Sequence, residues 1–488
     1  MMTTMTVRPV VAATLAALAL SACNFAPIYE QPQGMVPARI GAEGASSSDG
    51  AAALTALAAD QQWAQAQAWI AQPQLRDVVA LALGHNRNVR VAVENMEKAR
   101  AQYGITRADQ LPTVAATAQG ARSRSSAELS NNGQSSVSEQ YTVQLGFTSY
   151  EIDFWGRIRN LSEAGLQAYL QAEDTQRQVQ VALVADVASA WLTLAADLAR
   201  LQLAQDTLAS REAAYALTRR MLEIGATSGL VLAQNLSTVE TARADVAAFT
   251  AQAARSRNAL QLLVGGPVPA ALLPDAQTLL VADANNLALR PAPQDLPSSV
   301  LLQRPDVQAA EHALRAMHAN IGAARAAMFP TIALTASAGT GSRALDGLFG
   351  SGTGTWSFAP QIRLPIFSGG RLQAGVELMQ ANQRIALAQY EQAVQTAFKE
   401  VADALADRSQ WGARLGAQQG MVVATQKAFE LSDARFKAGV DNYLTVLDAQ
   451  RSLYAAQQTL ITLRLGEQIN RVTLWKALGG QDVQATTP

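Results

Sequence analysis

Two very long helical patterns dominate the chain, at residues 157–222 and 371–436. In the first pattern apolar residues recur every three or four positions, which places them on one helix face; the series includes Leu183, Val187, Ala190 and Leu194. An ordinary core helix can carry the same apolar stripe, so the length of the patterns is more informative. About 66 residues span roughly 100 Å at 1.5 Å per residue. Helices this long are typical of a tube that crosses a compartment and are seldom needed in a globular domain.

A glycine turn and a second helical pattern follow each long helix. The turns are at Gly225 and Gly439, and the returning patterns run to about Gly265 and Gly479. The chain is therefore expected to contain two antiparallel helical hairpins. A further helical pattern, at residues 75–109, precedes them.

Between the helical patterns the apolar period changes to two. Residues 141–148 alternate apolar and small polar side chains, the segments that begin at Ile332 and Trp356 repeat this pattern, and the segment at Val114 is a weaker version. A soluble sheet packed on a core shows the same alternation, so from one strand alone both a soluble sheet and a membrane barrel remain open. Four strands are predicted, at about 112–126, 138–152, 330–340 and 354–364.

The hairpins and strand pairs are two repeats of one pattern. Residues 222–225 recur at 436–439, a displacement of about 214, and residues 111–113 recur at 329–331, a displacement of about 218. A few residues were therefore gained or lost between these points. Two related halves favour a pseudo-symmetric architecture in which equivalent faces line a shared axis.

The N-terminus has the pattern of an export signal. Arg8 supplies a positive charge, residues 10–20 form an apolar core, and Ser21 and Ala22 are the small residues that precede a cleavage site. The resulting organisation is a signal peptide at 1–22, an acylated N-terminal extended and equatorial segment at 23–74, a first repeat at 75–266, an inter-repeat linker and equatorial segment at 267–299, a second repeat at 300–480 and a C-terminal tail at 481–488.

The only cysteine in the chain, Cys23, follows this signal directly. Its setting resembles a bacterial lipobox, in which the thiol receives a diacylglycerol and the new N-terminus is then acylated. The alternative is a plain secretory signal with a chance cysteine. Asn24 is not the aspartate that retains lipoproteins in the inner membrane, so we expect a lipid-anchored protein of the outer membrane of a Gram-negative bacterium.

The composition excludes several classes of protein. The net charge is −1, 49% of the residues are hydrophobic and only 16% are charged, which argues against both disorder and nucleic-acid binding. Beyond the signal there is no uninterrupted apolar run of about 18 residues, so no helical membrane span is expected.

The strands are therefore expected to form a membrane barrel that several chains share. Aromatic residues lie on their apolar face, at Tyr141, Phe147, Trp356 and Phe358, as in barrel girdles. Four strands cannot close a barrel, and an open edge in lipid leaves backbone groups unpaired at several kcal/mol each. Two chains would give eight strands with a filled interior, and three would give twelve strands with room for water.

An enzyme is the first alternative from another class. The three histidines are His85, His312 and His318, and the last two are six apart, which does not stack them as a helical metal pair. The sequence has no HExxH, G-x-S-x-G or phosphate-loop motif. We therefore expect no catalytic residue, no metal site and no cofactor other than the lipid on Cys23.

Several motifs together carry a family resemblance. They are Cys23 in its lipobox, Arg304-Pro305-Asp306-Val307, the run from Pro365 to Arg371, and the run from Gly439 to Leu453 that contains Asp448. In these motifs the chain resembles the TolC superfamily of outer membrane factors, most of all the OprM/NodT-type lipoproteins of resistance-nodulation-division (RND) multidrug efflux. The resemblance covers nearly the whole mature chain.

The resemblance implies an α+β membrane protein that assembles as a homotrimer. Each chain would give four strands to a twelve-stranded outer membrane β-barrel, continued through the periplasm by a long α-helical barrel. A periplasmic adaptor and an inner membrane RND pump would be its partners. The expected function is the exit duct for drugs or other small toxic compounds. Within the family, a type I protein-secretion channel or a heavy-metal efflux channel is the alternative, and a structural or adaptor lipoprotein is the alternative outside it.

The resemblance also places a periplasmic gate just after the second turn. In a threefold arrangement Leu444 would form an apolar ring that excludes water, and Asp448, one turn on, would form an anionic ring. The interlocking basic and acidic pair of TolC has no counterpart, since Asp441 and Val231 occupy the aligned positions. Closure is then expected to involve local pairs of Arg435 with Asp433 or Asp441. The candidate adaptor-contact residues are Gly225, Ala226, Thr227, Gly439, Val440 and Tyr443.

Overall fold

The computed structural model describes residues 24–32, 34–37, 39–40, 69–129, 133–280 and 296–480. The predicted signal peptide at 1–22, Cys23 and the tail at 481–488 lie outside the described residues. Much of the predicted N-terminal segment and of the inter-repeat linker, residues 41–68 and 281–295, does so as well.

The helices and strands follow the predicted order. The helices are α1 (Pro73–His85), α2 (Arg87–Ala108), α3 (Arg157–Glu223), α4 (Gly229–Val264), α5 (Gln277–Leu280), α6 (Pro305–Ala326), α7 (Arg371–Lys437) and α8 (Tyr443–Ala477). The strands are β1 (Arg39–Ile40), β2 (Ala115–Ser125), β3 (Ser136–Glu151), β4 (Leu296–Pro297), β5 (Thr331–Ser342) and β6 (Gly354–Arg363). The two long helices, α3 and α7, are each 67 residues long.

The predicted helix at 75–109 is wrong as a single element, because the chain breaks at Asn86. This residue has an extended backbone, and its side-chain oxygen accepts from the backbone N–H groups of Asn88 (2.8 Å) and Val89 (3.2 Å). Its side-chain nitrogen donates to the carbonyl of Leu263 at 2.7 Å. Asparagine is a preferred N-cap, so Asn86 ends α1 and starts α2 in the same place.

One compact unit comprises Met1–Pro32, Asn95–Ala172 and Ala309–Tyr390, and it contains the larger sheet. The sheet has the order β2-β3-β5-β6, with every neighbouring pair antiparallel. The predicted aromatic face is confirmed: Phe147 and Phe358 both face Ala336, which puts them on the same side of the sheet. Serine, threonine and glutamine dominate the other side of the described strands, which is therefore a polar face.

A β-bulge in β3 accounts for part of the changing displacement between the repeats. The register shifts between Phe147 and Tyr150, where Ser149 has a positive φ of 53°. One extra residue on one strand is what defines such a bulge. Residues of β3 before the bulge correspond to residues about 215 positions later in the second repeat. Beyond the bulge, the displacement between corresponding residues is about 214.

The second compact unit comprises Gln33–Glu94, Glu173–Gln308 and Glu391–Pro488. Its core is built on α3, whose predicted stripe is buried at Leu183, Val187 and Leu194. Trp191 is fully buried and donates from its indole nitrogen to the carbonyl of Leu272 at 3.0 Å. The predicted apolar stripe is therefore a core stripe in this unit.

The expectation that no helix is long and apolar enough to span a membrane does not hold for α3. Among the described residues, α3 contains one stretch long and apolar enough to cross a membrane by length and composition, and 56% of that stretch is buried inside the protein. Polar residues interrupt this stretch, so it contains no uninterrupted apolar run of the length required. Because α3 supplies much of the core, burial in the protein explains its apolar character.

Arg304, the first residue of one of the motifs, is a buried junction of this unit. Its guanidinium donates to both carboxylate oxygens of Asp306 at 3.0 and 2.8 Å and to Glu400 at 2.7 Å. It also donates to the carbonyl of Ala477 at 2.7 Å, the last residue of α8. Arg304 thus ties the start of α6 to α7 and to the end of α8.

Candidate functional site at the helical turns

The two turns that join the hairpin helices have the same backbone geometry. After α3, Gly225 donates to the carbonyl of Leu222 at 2.9 Å, and Ala226 donates to that of Met221 at 2.8 Å. This pair of bonds defines a Schellman cap, which needs a residue with positive φ. Gly225 supplies it with a φ of 76°.

The second turn repeats this cap residue by residue. Gly439, with a φ of 75°, donates to the carbonyl of Phe436 at 2.9 Å, and Val440 donates to that of Arg435 at 3.0 Å. The returning helix then starts at an N-cap, Asn442, whose side-chain oxygen accepts from the Thr445 backbone at 3.2 Å.

Arg435 and Asp441 form a two-pronged ion pair across the second turn. The Arg435 Nε and Nη2 atoms donate to the Asp441 carboxylate at 2.6 and 3.0 Å. The hydrogen bonds from Arg435 lower the pKa of the Asp441 carboxyl. Asp433 and Asp441 were the two partners predicted for Arg435. Arg435 pairs with Asp441, whereas Asp433 pairs with Lys437 at 2.7 Å.

Leu444 and Asp448 share the exposed face of α8. They are four residues apart, which places them one turn from each other on the same side of the helix. Leu444 is 57% exposed and Asp448 is also exposed. In the first hairpin their counterparts are Leu230, which is 68% exposed, and Gln234. An apolar side chain thus follows each turn, but only the second hairpin adds a carboxylate.

Tyr443 differs from the other predicted adaptor-contact residues, because its side chain is buried. Only 6% of it is exposed, and its ring packs edge-on against Phe436 with centroids 5.1 Å apart. Its hydroxyl donates to the side-chain oxygen of Asn235 on α4. The side chain of Tyr443 is thus not exposed in the single chain, and its role as an adaptor-contact residue stays a prediction. Val446 and Leu447 complete the buried face of this end of α8.

A buried polar network extends from Tyr443 and links the two hairpins. Asn235 is fully buried and donates from its side-chain nitrogen to the Thr218 hydroxyl at 2.7 Å. Further along, buried Arg211 donates to the carbonyl of Thr238 at 2.9 Å and lies 5.6 Å from the ring centroid of Tyr454. The sequence analysis missed this network.

A signal for the network was present in the sequence. Asn235 and Arg211 occupy positions that helical spacing assigns to the apolar interior, where a buried polar residue needs a partner. Burial lowers the pKa of the Arg211 guanidinium and raises that of the Tyr443 hydroxyl.

In the sheet-containing unit, the residues that follow Cys23 are held in place. The Asn24 side chain accepts from Asn160 at 2.9 Å, and Arg325 donates to the Phe25 carbonyl at 3.1 Å. The Phe25 ring stacks on Phe329 with centroids 4.6 Å apart. Phe329 lies two residues before the first residue of β5, so the segment lies beside one end of the sheet.

Trp155 and Tyr29 complete this attachment. The Trp155 indole donates to the carbonyl of Pro330 at 2.8 Å and its ring stacks on Phe329. The Tyr29 hydroxyl donates to Glu311 of α6 at 2.9 Å. Aromatic residues at the ends of membrane strands are typical of the membrane–water interface.

Across the described ranges, no three or more His, Cys, Asp or Glu residues are grouped so that they could hold a metal ion. The exposed residues at the two turns are glycine, small, apolar and singly charged side chains. Such a surface can contact another protein or line an opening, and it offers no nucleophile paired with a base.

The comparisons with known proteins agree with this architecture. The profile of the outer membrane efflux protein family matches residues 78–266 and 296–480. The toluene efflux pump outer membrane protein TtgC of Pseudomonas putida is 43% identical over 464 residues, which are 95% of this chain and 94% of TtgC. The cation efflux system protein CusC of Escherichia coli is 38% identical over 466 residues, which are 95% of this chain and 97% of CusC.

A solved structure extends the likeness to the fold. The open state of the MtrE outer membrane channel of Neisseria gonorrhoeae matches with a TM-score of 0.80 and 38% identity, over 95% of this chain and 100% of MtrE. The predicted TolC-like fold and the predicted outer membrane location with a periplasmic extension are confirmed. The family consists of channel and transport proteins rather than enzymes. The chain belongs to the outer membrane efflux protein family.

Proposed function

We propose that this protein is the exit duct of a tripartite RND-type efflux system, which exports drugs or other small toxic compounds across the outer membrane. The observation that carries the proposal is the face formed by Leu444 and Asp448, which stays exposed while the opposite face of α8 is buried. Because both side chains are exposed, neither contributes to the core of the single chain. They suit a constriction.

The constriction requires three chains around one axis. Three Leu444 side chains in a narrow opening would exclude water, and three Asp448 carboxylates would repel one another and favour cations. Repulsion of this kind keeps the closed state only moderately stable. Contact with a periplasmic adaptor and pump would then open it.

The adaptor is proposed to contact the exposed parts of both turns. Gly225, Ala226, Gly439 and Val440 are exposed, and Thr227 is half-buried. Since the two caps have the same geometry, a repeated adaptor element could contact each turn in the same way. The small side chains leave the backbone of the turns accessible.

The lipid on Cys23 is proposed to anchor to the membrane the end of the sheet that lies beside Phe25 and Phe329. Asn24 and Phe25, which follow Cys23 in the sequence, are fixed beside the strand ends. Replacement of Cys23 by serine should abolish labelling with radioactive palmitate. A palmitate signal that persists in this variant would contradict the assignment.

Deletion of the gene tests the efflux function directly. The deletion strain should become sensitive to a panel of drugs, dyes and organic solvents, and the gene in trans should restore resistance. Because CusC is a relative named for cation efflux, heavy-metal salts belong in the same panel. Sensitivity to the metals alone would favour a heavy-metal channel, and an unchanged panel would contradict the proposal.

A further inference from the structure

Both outer strands of the four-stranded sheet have a free edge within the chain. In the order β2-β3-β5-β6, β2 and β6 each have one neighbour. Within the described residues, the backbone N–H and C=O groups that point outward from these two strands therefore have no strand partner. A membrane offers no water to satisfy such groups, so another strand must cover each edge.

The internal duplication identifies which strands are equivalent. Gly120 faces Tyr141 in the first strand pair, and Ala338 faces Trp356 in the second. The displacement of about 218 residues carries Gly120 onto Ala338. Tyr141 and Trp356 are therefore counterparts, β5 is the counterpart of β2, and β6 is the counterpart of β3.

The pairing of β3 with β5 is the one that joins the two repeats. In it Tyr141 faces Ser342 and Thr142 faces Gly341. In a closed ring of repeats the same junction must occur again, between the last strand of one chain and the first strand of the next. The counterparts of Tyr141 and Thr142 are Trp356 and Ser357, and those of Ser342 and Gly341 are Arg124 and Ser123.

We propose that β6 of each protomer pairs antiparallel with β2 of the next, in a register that places Trp356 opposite the partner's Arg124 and Ser357 opposite the partner's Ser123. The partner is a second copy of this chain. This inference rests on the proposed trimeric channel and specifies how its barrel closes.

The faces of the strands support this register independently. Gly120, Arg122 and Arg124 lie on the same side of the sheet as Tyr141, because they occupy alternate positions of β2. Trp356 lies on that side too, as the aromatic face shows. The proposed register therefore joins apolar face to apolar face and polar face to polar face. A slip of one residue would reverse every side chain of one strand.

The side chains at the two edges also suit each other. Trp356 is 81% exposed in the single chain, and Phe358, at 61%, would lie opposite the partner's Arg122. A guanidinium is attracted to the face of an aromatic ring, and more strongly when the pair is shielded from water. Within its own chain Arg122 already pairs with Glu139 at 2.8 Å, so its charge is balanced as it approaches the ring.

The close approach of the β3 and β5 backbones is not expected at the junction between chains. Gly146 and Gly339 lie so close to the facing backbone that an added Cβ atom would be 2.3 and 2.1 Å from a carbonyl oxygen. Their counterparts, Gln361 and Ala121, carry side chains. The junction between chains should therefore keep the register at an ordinary strand spacing of about 4.8 Å.

Disulfide cross-linking tests the register. The variant that combines Ser123→Cys with Ser357→Cys places the two thiols directly opposite, with Cβ atoms about 4.5–5.5 Å apart. Two controls keep Ser357→Cys and combine it with Ala121→Cys or with Ser125→Cys. In these controls the thiols are on the same face but diagonal, about 7–8 Å apart. The single variant Ser357→Cys reveals any bond to Cys23, the only natural cysteine.

After mild oxidation of outer membranes, the directly opposite pair should give covalent dimers and trimers, and a reductant should return them to monomers on a denaturing gel. The yield of cross-linked product should be about tenfold higher than for either diagonal pair. The ring closes at three chains, so no larger product should form. Stronger cross-linking by a diagonal pair would overturn the register, and a trimer that none of the pairs cross-links would overturn the strand pairing. The size of the unoxidised particle in detergent is measured in parallel, and a monomer there would overturn the proposed channel itself.

Discussion

The hydroxyl of Tyr443 donates a hydrogen bond to the side-chain oxygen of Asn235 and so fastens the second hairpin to the first. Both side chains are buried. By the displacement of about 214 residues their counterparts are Gly229 and Ala449, which cannot form this bond. The bond therefore exists once in the described part of each chain. In the proposed trimer it would repeat three times around the axis.

Tyr443→Phe should loosen the end of α8 that carries Leu444. The change removes the hydroxyl and leaves the Asn235 oxygen buried without this donor, at a cost of about 1–3 kcal/mol. We expect a larger conductance of the isolated channel and greater sensitivity to large antibiotics such as vancomycin. Tyr454→Phe is the matched control, since its hydroxyl bonds Asp245 at 3.2 Å further from the turn. Equal effects of the two substitutions would refute a specific role for Tyr443.

The Arg435–Asp441 pair should make the second turn sensitive to acid. Because the pKa of Asp441 in the folded chain is lowered, the stabilisation is complete above the ordinary aspartate value of 3.8 and is lost as the pH falls through the lower folded value. Hydrogen exchange of the turn should therefore be flat near neutral pH and accelerate only in strong acid, after correction for intrinsic rates. Asp441→Asn should show the faster exchange already at neutral pH. An unchanged exchange rate in this variant would show that the pair does not hold the turn.

Gly439→Ala and Gly416→Ala should have opposite effects on stability. Gly439 has a φ of 75°, and an L-residue there costs about 1–2 kcal/mol. Gly416 lies inside α7 with open space around its Cβ position, so alanine there should stabilise the helix by about 0.5–1 kcal/mol. Thermal unfolding followed by circular dichroism measures both. A stabilising Gly439→Ala would contradict the Schellman cap described for the second turn.

Arg304→Lys should destabilise the protein although it keeps the charge. A lysine ammonium cannot donate simultaneously to Asp306, Glu400 and the Ala477 carbonyl in the planar geometry of the guanidinium. Breaking a buried pair of this kind costs about 3–5 kcal/mol. The variant should yield less trimer in outer membranes and unfold at a lower temperature. Arg100→Lys, at an exposed pair with Glu97, is the control and should behave as wild type.

Periodicity predicted the long helices, the strands and the two turns, because each is a local pattern that tertiary contacts reinforce. The single helix at 75–109 was wrong because Asn86 can act either as a helix interior residue or as a cap, and its tertiary bond to Leu263 is not visible in a local pattern. The burial of Tyr443 was missed for a related reason. Helical spacing indicates that Asn235 is buried, but it does not identify Tyr443, more than two hundred residues away, as its partner.

The conductance of single purified trimers in a planar lipid bilayer tests the central claim most directly. In the wild type, Leu444 and Asp448 are proposed to form the narrowest point. Leu444→Ala combined with Asp448→Ala should raise the conductance several-fold, because both the apolar and the charged ring are removed. Leu230→Ala combined with Gln234→Ala, the equivalent change in the first hairpin, should leave it near the wild-type value. An unchanged conductance in the first double variant, with trimers intact, would contradict the assignment of the aperture to these two residues.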